Sequence, residues 1–564
     1  MRNFMRRVRG VTANGARRAR KFSVLAVVAL LFCWPVPVQV RAAAGDLDST
    51  FGNGGKLTTV FFSGSGEATS AISAIQPDKK IVVAGTVIDH TTLQVQKVAI
   101  VRYNPDGSLD PSFGSSGIAI FSFPGLFNIA IDLVIQPDGK IVVAGGASNS
   151  PTSSDFALMR VNANGSLDLT FGSGGIAVTD FARGADSAFA VALQPDGKIV
   201  VGGASRNLLD IEVLPSLVRY NSDGSLDLTF GSGGKVVADF DGPVGGEFRD
   251  LLIQPDGRIV AVGLTVLFDS NVSLARYLPD GSLDPTFGIG GMTTTDFGSQ
   301  EGGRAAVLQP DGKIIVAGEF SQPITFDRDF GVARYNSDGT LDHNFGNNGL
   351  ATIDFFGRND FAETVALQRN GKIVVAGGIS SNVDFSGFGD FGLARFNGDG
   401  SLDLSFSSDG KTTVDFGTDP LRFNDRVLSL AIQQDGNILA VGLASRNNGF
   451  RSDFALARFE GDGNETGNFD TCLQDDSNGN IIQINSTTGL YRFTNCAGFT
   501  VVGTGTVTQK GSVMTLQHSA ADRRVIARID TSVTKATASI QMLSQGTTFS
   551  IIDKNTANDS CACR

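Results

Sequence analysis

The chain has 564 residues, 41% of them hydrophobic and 18% charged, with 46 Lys and Arg against 57 Asp and Glu. A formal net charge of −11 excludes a surface built for nucleic acid or anionic lipid, because both require clustered positive charge. Only three His occur (His90, His343 and His518, in unrelated contexts), which excludes a His metal cluster or a His-based catalytic triad.

Residues 1–44 read as a signal peptide. Arg2, Arg6, Arg7, Arg9, Arg17, Arg18, Arg20 and Lys21 form a basic leader without an acidic residue. An apolar run from Phe22 to Trp34 follows, and Ala42, Ala43 and Ala44 supply small residues for a signal peptidase. The run is short for a membrane span and is followed by Pro35 and Pro37, so the expectation is export with no membrane span after signal removal. Cleavage removes 9 of the 46 basic residues and no acid, leaving 37 against 57 and a net charge of −20. It also removes Trp34, the only Trp, and with it any Trp platform for sugar stacking. The expected location is secreted, periplasmic or cell-surface.

From residue 45 to 463 one unit of ~58 residues recurs seven times. Its Leu-Asp starts fall at Leu47, Leu109, Leu167, Leu226, Leu283, Leu341 and Leu402. A period of this size marks a propeller or solenoid, whose units bury their faces against one another. In the third copy Phe189–Gln194 and Lys198–Gly203 are β-type runs around Pro195-Asp196-Gly197, a hairpin signal. Ser216–Asn221 is a third run, and Leu226–Phe240 is assigned the fourth strand after a second Asp-Gly turn. Such turns are expected to be type I′. Four short antiparallel strands per unit are the content of one propeller blade.

The phase of the repeat predicts how the ends meet. The last three-strand unit, about Arg426–Phe459, has no fourth segment after it, and Asp46–Phe62 is a fourth segment with no unit before it. Joining the two predicts an all-β, seven-bladed β-propeller closed by the N-terminal strand, with no open sheet edges.

The pattern resembles the delta-60 repeat family of bacterial secreted and surface proteins. The residues that carry the resemblance are L-D-L-T-F-G-S-G-G at Leu167–Gly175 and Leu226–Gly234, A-L-Q-P-D-G-K-I-V-V-G-G-A at Ala192–Ala204, and F-G-V-A-R-Y-N at Phe330–Asn336. The resemblance implies a β-propeller fold and an extracytoplasmic compartment, and carries no common catalytic chemistry. Departures are Lys79 in place of a turn Gly, Arg369-Asn370 for Pro-Asp, and Gln434 for Pro.

Residues present in every copy read as scaffold. The Arg ending the third strand recurs as Arg102, Arg160, Arg219, Arg276, Arg334, Arg395 and Arg458, with carboxylates such as Asp110, Asp168, Asp227 and Asp284 or turn carbonyls as expected partners. A site belongs where the copies differ. The turns at one end are tight and repeated, whereas the loops at the other vary, as in Thr86–Gln96, Ser205–Pro215, Glu319–Arg328, Ser380–Gly389 and Gly417–Asn424. Acids flank these loops: Asp180 with Asp186, Asp239 with Glu247, Asp296 with Glu301, Asp354 with Asp360, and Asp415 with Asp425. Asp155, Asp329, Asp390 and Asp453 add a further set at the start of the third strand. Acids in such numbers serve as turn caps and surface charge, or as oxygen ligands for calcium, the one cofactor candidate. Asn221–Asp227 and its counterparts lack the bidentate acid of a calcium loop and read as hairpin turns.

After a polar linker at 464–468, residues 469–564 read as a small β-sandwich or barrel. It contains Cys472, Cys496, Cys561 and Cys563, whereas the repeat region has no Cys. An even count in an exported chain predicts two disulfides, with Cys472 and Cys496 each tied to one of the C-terminal pair, or else bonded to each other. A zinc site built from all four thiolates is the alternative. Two function classes remain. One is a secreted or envelope scaffold, expected to be monomeric, whose variable loops meet a protein, a glycan or the extracellular matrix. The other is an extracellular hydrolase or lyase using carboxylates at the propeller channel.

Overall fold

The computed structural model describes residues 43–462, apart from 63–65, 92–95, 126, 151–152, 182–183, 207–212, 241–244, 267–269, 299, 322–326, 358, 381–388, 418–424 and 447–450. Beyond these it describes only strand residues between 471 and 550. The signal-peptide assignment and the pairing of Cys496, Cys561 and Cys563 lie outside the described residues, as does the side chain of Cys472.

The repeats form seven antiparallel blades of four strands each, numbered 1 to 7 in chain order, with the inner strand of blade 1 split into Gly66–Ala68 and Ile72–Ile75. The pattern is plain in blade 2, where Phe127–Ile135, Ile141–Ser150, Ser153–Val161 and Ile176–Thr179 run from the inner to the outer edge. Blades 3 and 4 are joined in one sheet by a single parallel bridge between Val213 and Gly245. The middle strands are the most apolar segments of the unit, and both faces of them are buried. That fits a sheet stacked between two neighbours. Cores accordingly lie between blades: Val82, Ile100, Leu133 and Ile141 join blades 1 and 2, and Val374, Leu393, Ile438 and Ala455 join blades 6 and 7. Blade 7 packs on blade 1 in the same way, through Leu439, Leu456, Val83 and Val101.

Lys56–Thr59 is the outer strand of blade 7, paired antiparallel with Phe454–Ala457. The segment before it takes the place of a repeat turn. In blades 5 and 6 the Gly346 N–H donates to the Asp399 carbonyl at 2.8 Å, and at the next junction the Ser407 N–H donates to the Ala44 carbonyl at 2.7 Å. Gly45, at φ +93°, thus stands where the turn Gly400 stands at +88°.

Two expectations are corrected. The Leu-Asp-x-x-Phe-Gly segment is a coiled turn rather than part of the fourth strand, which in blade 3 is only Lys235–Val237; Leu226 makes one isolated bridge to Tyr220. The Asp-Gly turns are not type I′. In blade 1 the Gly107 N–H donates to the Asn104 carbonyl, the Asn104 N–H donates to the Ser108 carbonyl, and only Gly107 has positive φ. This is a type I turn followed by a glycine bulge. Asp106 favours it by accepting hydrogen bonds from both the N–H and the hydroxyl of Ser108.

The repeated end of the sheets is held by one constellation used seven times. Each third-strand Arg donates through Nε to the Asp of the Leu-Asp pair, as Arg219 does to Asp227 at 2.7 Å, and stacks on the Phe three residues further on, here Phe230 at 4.4 Å. Its terminal nitrogen crosses to the next blade, where Arg219 reaches the Pro279 carbonyl. In six blades a second cation bonds to the same carboxylate: Lys80, Lys140, Lys198, Arg258, Lys313 or Lys372. Blade 7 has Asn437 there instead, hydrogen-bonded to Asp48. Burial works against ionisation of these acids. Hydrogen bonds from the nearby Ser or Thr and the guanidinium charge outweigh it, so Asp168 and Asp403 are held at about 2.

The C-terminal region forms nine short strands that pair in sequence order in sheets of four, three and two. Thr471–Gln474 to Thr500–Thr504 make up the first, Thr506–Lys510 to Arg523–Asp530 the second, and Thr537–Met542 with Gln545–Ser550 the third.

Candidate functional site: carboxylate triads and the inner channel

At the end opposite the Arg staples, three of the seven blade junctions gather acids. Asp155, Asp180 and Asp186 form one triad, Asp329, Asp354 and Asp360 a second, and Asp390, Asp415 and Asp425 a third. Within each triad one oxygen per carboxylate lies within 4.8 Å of the others. The members come from three places in the unit: the start of the third strand, the residue after the outer strand, and the residue before the next inner strand.

The third member of each triad is buried, and its work is local. Asp186 accepts the N–H of Phe181 at 2.8 Å and that of Arg206 at 3.2 Å. Asp360 accepts those of Phe355 and Ser380, and Asp425 those of Phe416 and Ser445. Each therefore ties a loop between blades to the end of a second strand. Burial raises these carboxyls most, and the neighbouring acids add to it: Asp186 and Asp425 are pushed up to about 6 and Asp360 to about 7. Two backbone donors per carboxylate oppose the shift without cancelling it. Three acids so arranged can share protons or receive a hard cation through oxygen.

A lysine accompanies each triad. Lys235, Lys411 and Lys56 open the outer strand of the following blade and donate to the carbonyls of Asp180, Asp354 and Asp415 at 2.6, 2.9 and 2.8 Å. Each ammonium lies over the adjacent Phe ring, at 5.4 Å for Phe181 and Phe355 and 5.6 Å for Phe416. At the four other junctions the same position is Ile118, Ile176, Met292 or Leu350. Among the described residues, then, the lysine occurs at the junctions that carry a triad.

The remaining acids read from the sequence do not join such groups among the described residues. Asp239 and Asp296 are exposed, Asp296 accepting the N–H of Gly298 at 2.6 Å. Glu301 is buried at the start of an inner strand, and Asp453 is buried in blade 7. Glu247 lies on an inner strand and pairs with Arg249 rather than with Asp239. Much of each variable loop lies outside the described residues.

Sequence reasoning named the propeller channel but not the residues that line it. A cavity of about 280 Å³ is lined by residues from the inner strands of all seven blades. In blades 2 to 7 each inner strand carries a register shift there, and the extra residue faces the cavity: Ile131, Phe189, Arg249, Arg304, Glu363 and Leu428. A bulge re-aims one side chain away from the sheet faces. This position varies between copies, as do its neighbours in the inner strand, so no single position of the repeat marks it.

Seven segments match the family model described as "Domain of unknown function (DUF5122) beta-propeller": residues 76–113, 136–171, 194–230, 254–287, 309–345, 368–406 and 433–464. The chain is a β-propeller repeat protein. No curated protein matches this propeller in sequence. Among solved structures it is similar to a catalytically inactive virginiamycin B lyase from Staphylococcus aureus with quinupristin. That likeness has 9% identity, covers 71% of this chain and 98% of the other, and has a TM-score of 0.41. Polysaccharide lyase Uly1 is 11% identical over 69% of this chain and 89% of its own, with a TM-score of 0.39. The PQQ-bound aldose sugar dehydrogenase from Streptomyces coelicolor is 13% identical over 60% and 96%, with a TM-score of 0.34.

Proposed function

We propose that this protein is a secreted or envelope-associated binding scaffold, a seven-bladed ring closed by its N-terminal strand that meets a protein, glycan or matrix partner with its loop end. One observation carries the reading: the two ends of the sheets are built differently. The Arg–Asp–Phe staple is used in all seven blades and leaves its groups engaged with one another. The opposite end combines loops that differ from copy to copy with acid triads at three junctions. A rigid scaffold with one uniform and one variable end is the arrangement in which recognition sits on the variable end.

The test is a glycan array and a matrix-protein panel probed with the chain from residue 45 onward, followed by Asp180→Asn, Asp354→Asn and Asp415→Asn. Graded loss of binding across the three supports a recognition face. Complete loss of a measurable turnover with one substitution alone would instead mean a catalyst, and binding indifferent to all three would place recognition elsewhere.

A further inference from the structure

The residues that face the channel are sorted by chemistry around it. Going round the blades, Leu428, Ile72, Ile131 and Phe189 belong to blades 7, 1, 2 and 3, whereas Arg249, Arg304 and Glu363 belong to blades 4, 5 and 6. These side chains thus form an apolar arc and a charged arc, with Asp132 and Ser429 as polar groups beside Ile131 and Leu428.

The lining as a whole carries more acid than base. Arg304 is held by Glu319 through two bonds of 2.8 and 2.9 Å and faces Glu363 at 3.8 Å. Arg249 is bonded to Glu247 and lies over Phe189 at 4.4 Å. Both guanidiniums are therefore already engaged and offer little to an anion. Asp132 and Asp250 also line the cavity, each accepting two backbone N–H groups. Three carboxylates, Asp132, Asp250 and Glu363, thus line the cavity with two guanidiniums, whose partners Glu247 and Glu319 lie outside its lining. Burial raises Asp132 and Asp250 towards neutrality, and the charge of Asp250 adds to the shift of Asp132. A cation entering the cavity would relieve that cost. The described carboxylates close enough to one another to hold an ion are the loop-end triads, not these. A diffuse excess of negative charge beside an apolar wall suits an organic cation better than a bare metal ion.

We infer that the channel binds a small organic amine, its ammonium group on the arc of Glu363 and Asp250 and its apolar body against Ile131 and Leu428. This site is separate from the loop end, so it stands or falls independently of partner recognition there.

The test uses three probes with one apolar body and different charge: phenethylamine, 2-phenylethanol and phenylacetate, titrated calorimetrically into the full chain. Phenethylamine should bind one to one, at least tenfold more tightly than the alcohol, with the carboxylate weakest. Glu363→Gln should weaken the amine at least tenfold, and Asp415→Asn at the loop end should leave it unchanged. Ile131→Trp, which fills the apolar arc, should abolish binding; it serves as the second variant if Glu363→Gln melts early through loss of its contact with Arg304. Equal affinity for the three probes, no amine binding at millimolar concentration, or full binding in Ile131→Trp would overturn the assignment.

Discussion

At the scale of single residues, the repeat supplies its own controls. Lys79 occupies a position that the equivalent turns give to Gly, and it carries φ +68°. A side chain in that region costs about 1–2 kcal/mol, so Lys79→Gly should stabilise the chain by about 1 kcal/mol, read as a higher urea midpoint with an unchanged slope. The Arg staples offer a paired comparison. Arg219→Ala leaves Asp227 bonded to Lys198 at 2.8 Å, but Arg458→Ala leaves the buried Asp48 with no cation, its partners then being the neutral groups of Thr50 and Asn437. Stranding a buried charge costs about 3–5 kcal/mol, so Arg458→Ala should destabilise by several times more than Arg219→Ala. Equal losses in urea unfolding would mean that the staple acts through its stacking on Phe rather than through charge.

At the scale of the element, the loop-end triads set a pH dependence with a definite sign. An unfolded Asp titrates near 3.8, whereas Asp360 in the folded chain titrates at about 7 and Asp186 and Asp425 at about 6. Between those values the folded state holds more protons than the unfolded one, so stability falls as pH rises from about 4 to about 7. The staple acids act in the opposite sense at lower pH. Asp168, held at about 2, contributes stability that is present above about 4 and lost as pH falls towards 2. Maximum stability is therefore expected at about pH 4–5. Urea midpoints across pH should show the decline above that maximum, and Asp360→Asn should make it shallower. Calcium gives the matching test: a thermal melt raised by calcium over EDTA at about pH 8 makes the triads ion sites, and coincident melts make them loop anchors.

At the scale of the whole molecule, the N-terminal strand is the joint on which blade 7 depends. Residues 43–59 supply its outer strand, the turn that meets Ser407, and the Asp48 that neutralises Arg458. A chain beginning at Val60 would expose the edge of Arg451–Phe459, a nine-residue strand buried along most of its length. Such an edge pairs with other chains, so the truncated protein should aggregate during size-exclusion chromatography, and a peptide of residues 43–59 should restore a monomer. A monodisperse truncated chain would show that the six remaining outer strands suffice.

The sequence by itself determined the repeat, its strand content and the identity of the staple residues, because these recur in every copy and each depends on local spacing. Asp-Gly turns, the Arg at the end of the third strand and the orphan segment at residue 46 were all legible in that way. The acids of the loop end were legible as a set. Which of them meet was not: Asp155, Asp180 and Asp186 come together only because two neighbouring sheets bring three strand ends to one junction. Glu247 follows its loop on an inner strand, where its charge is taken up by Arg249. The residues that line the channel were not legible, as each blade contributes only a residue or a few at positions that differ between copies. Their division into an apolar and a charged arc exists only once seven inner strands face a common space.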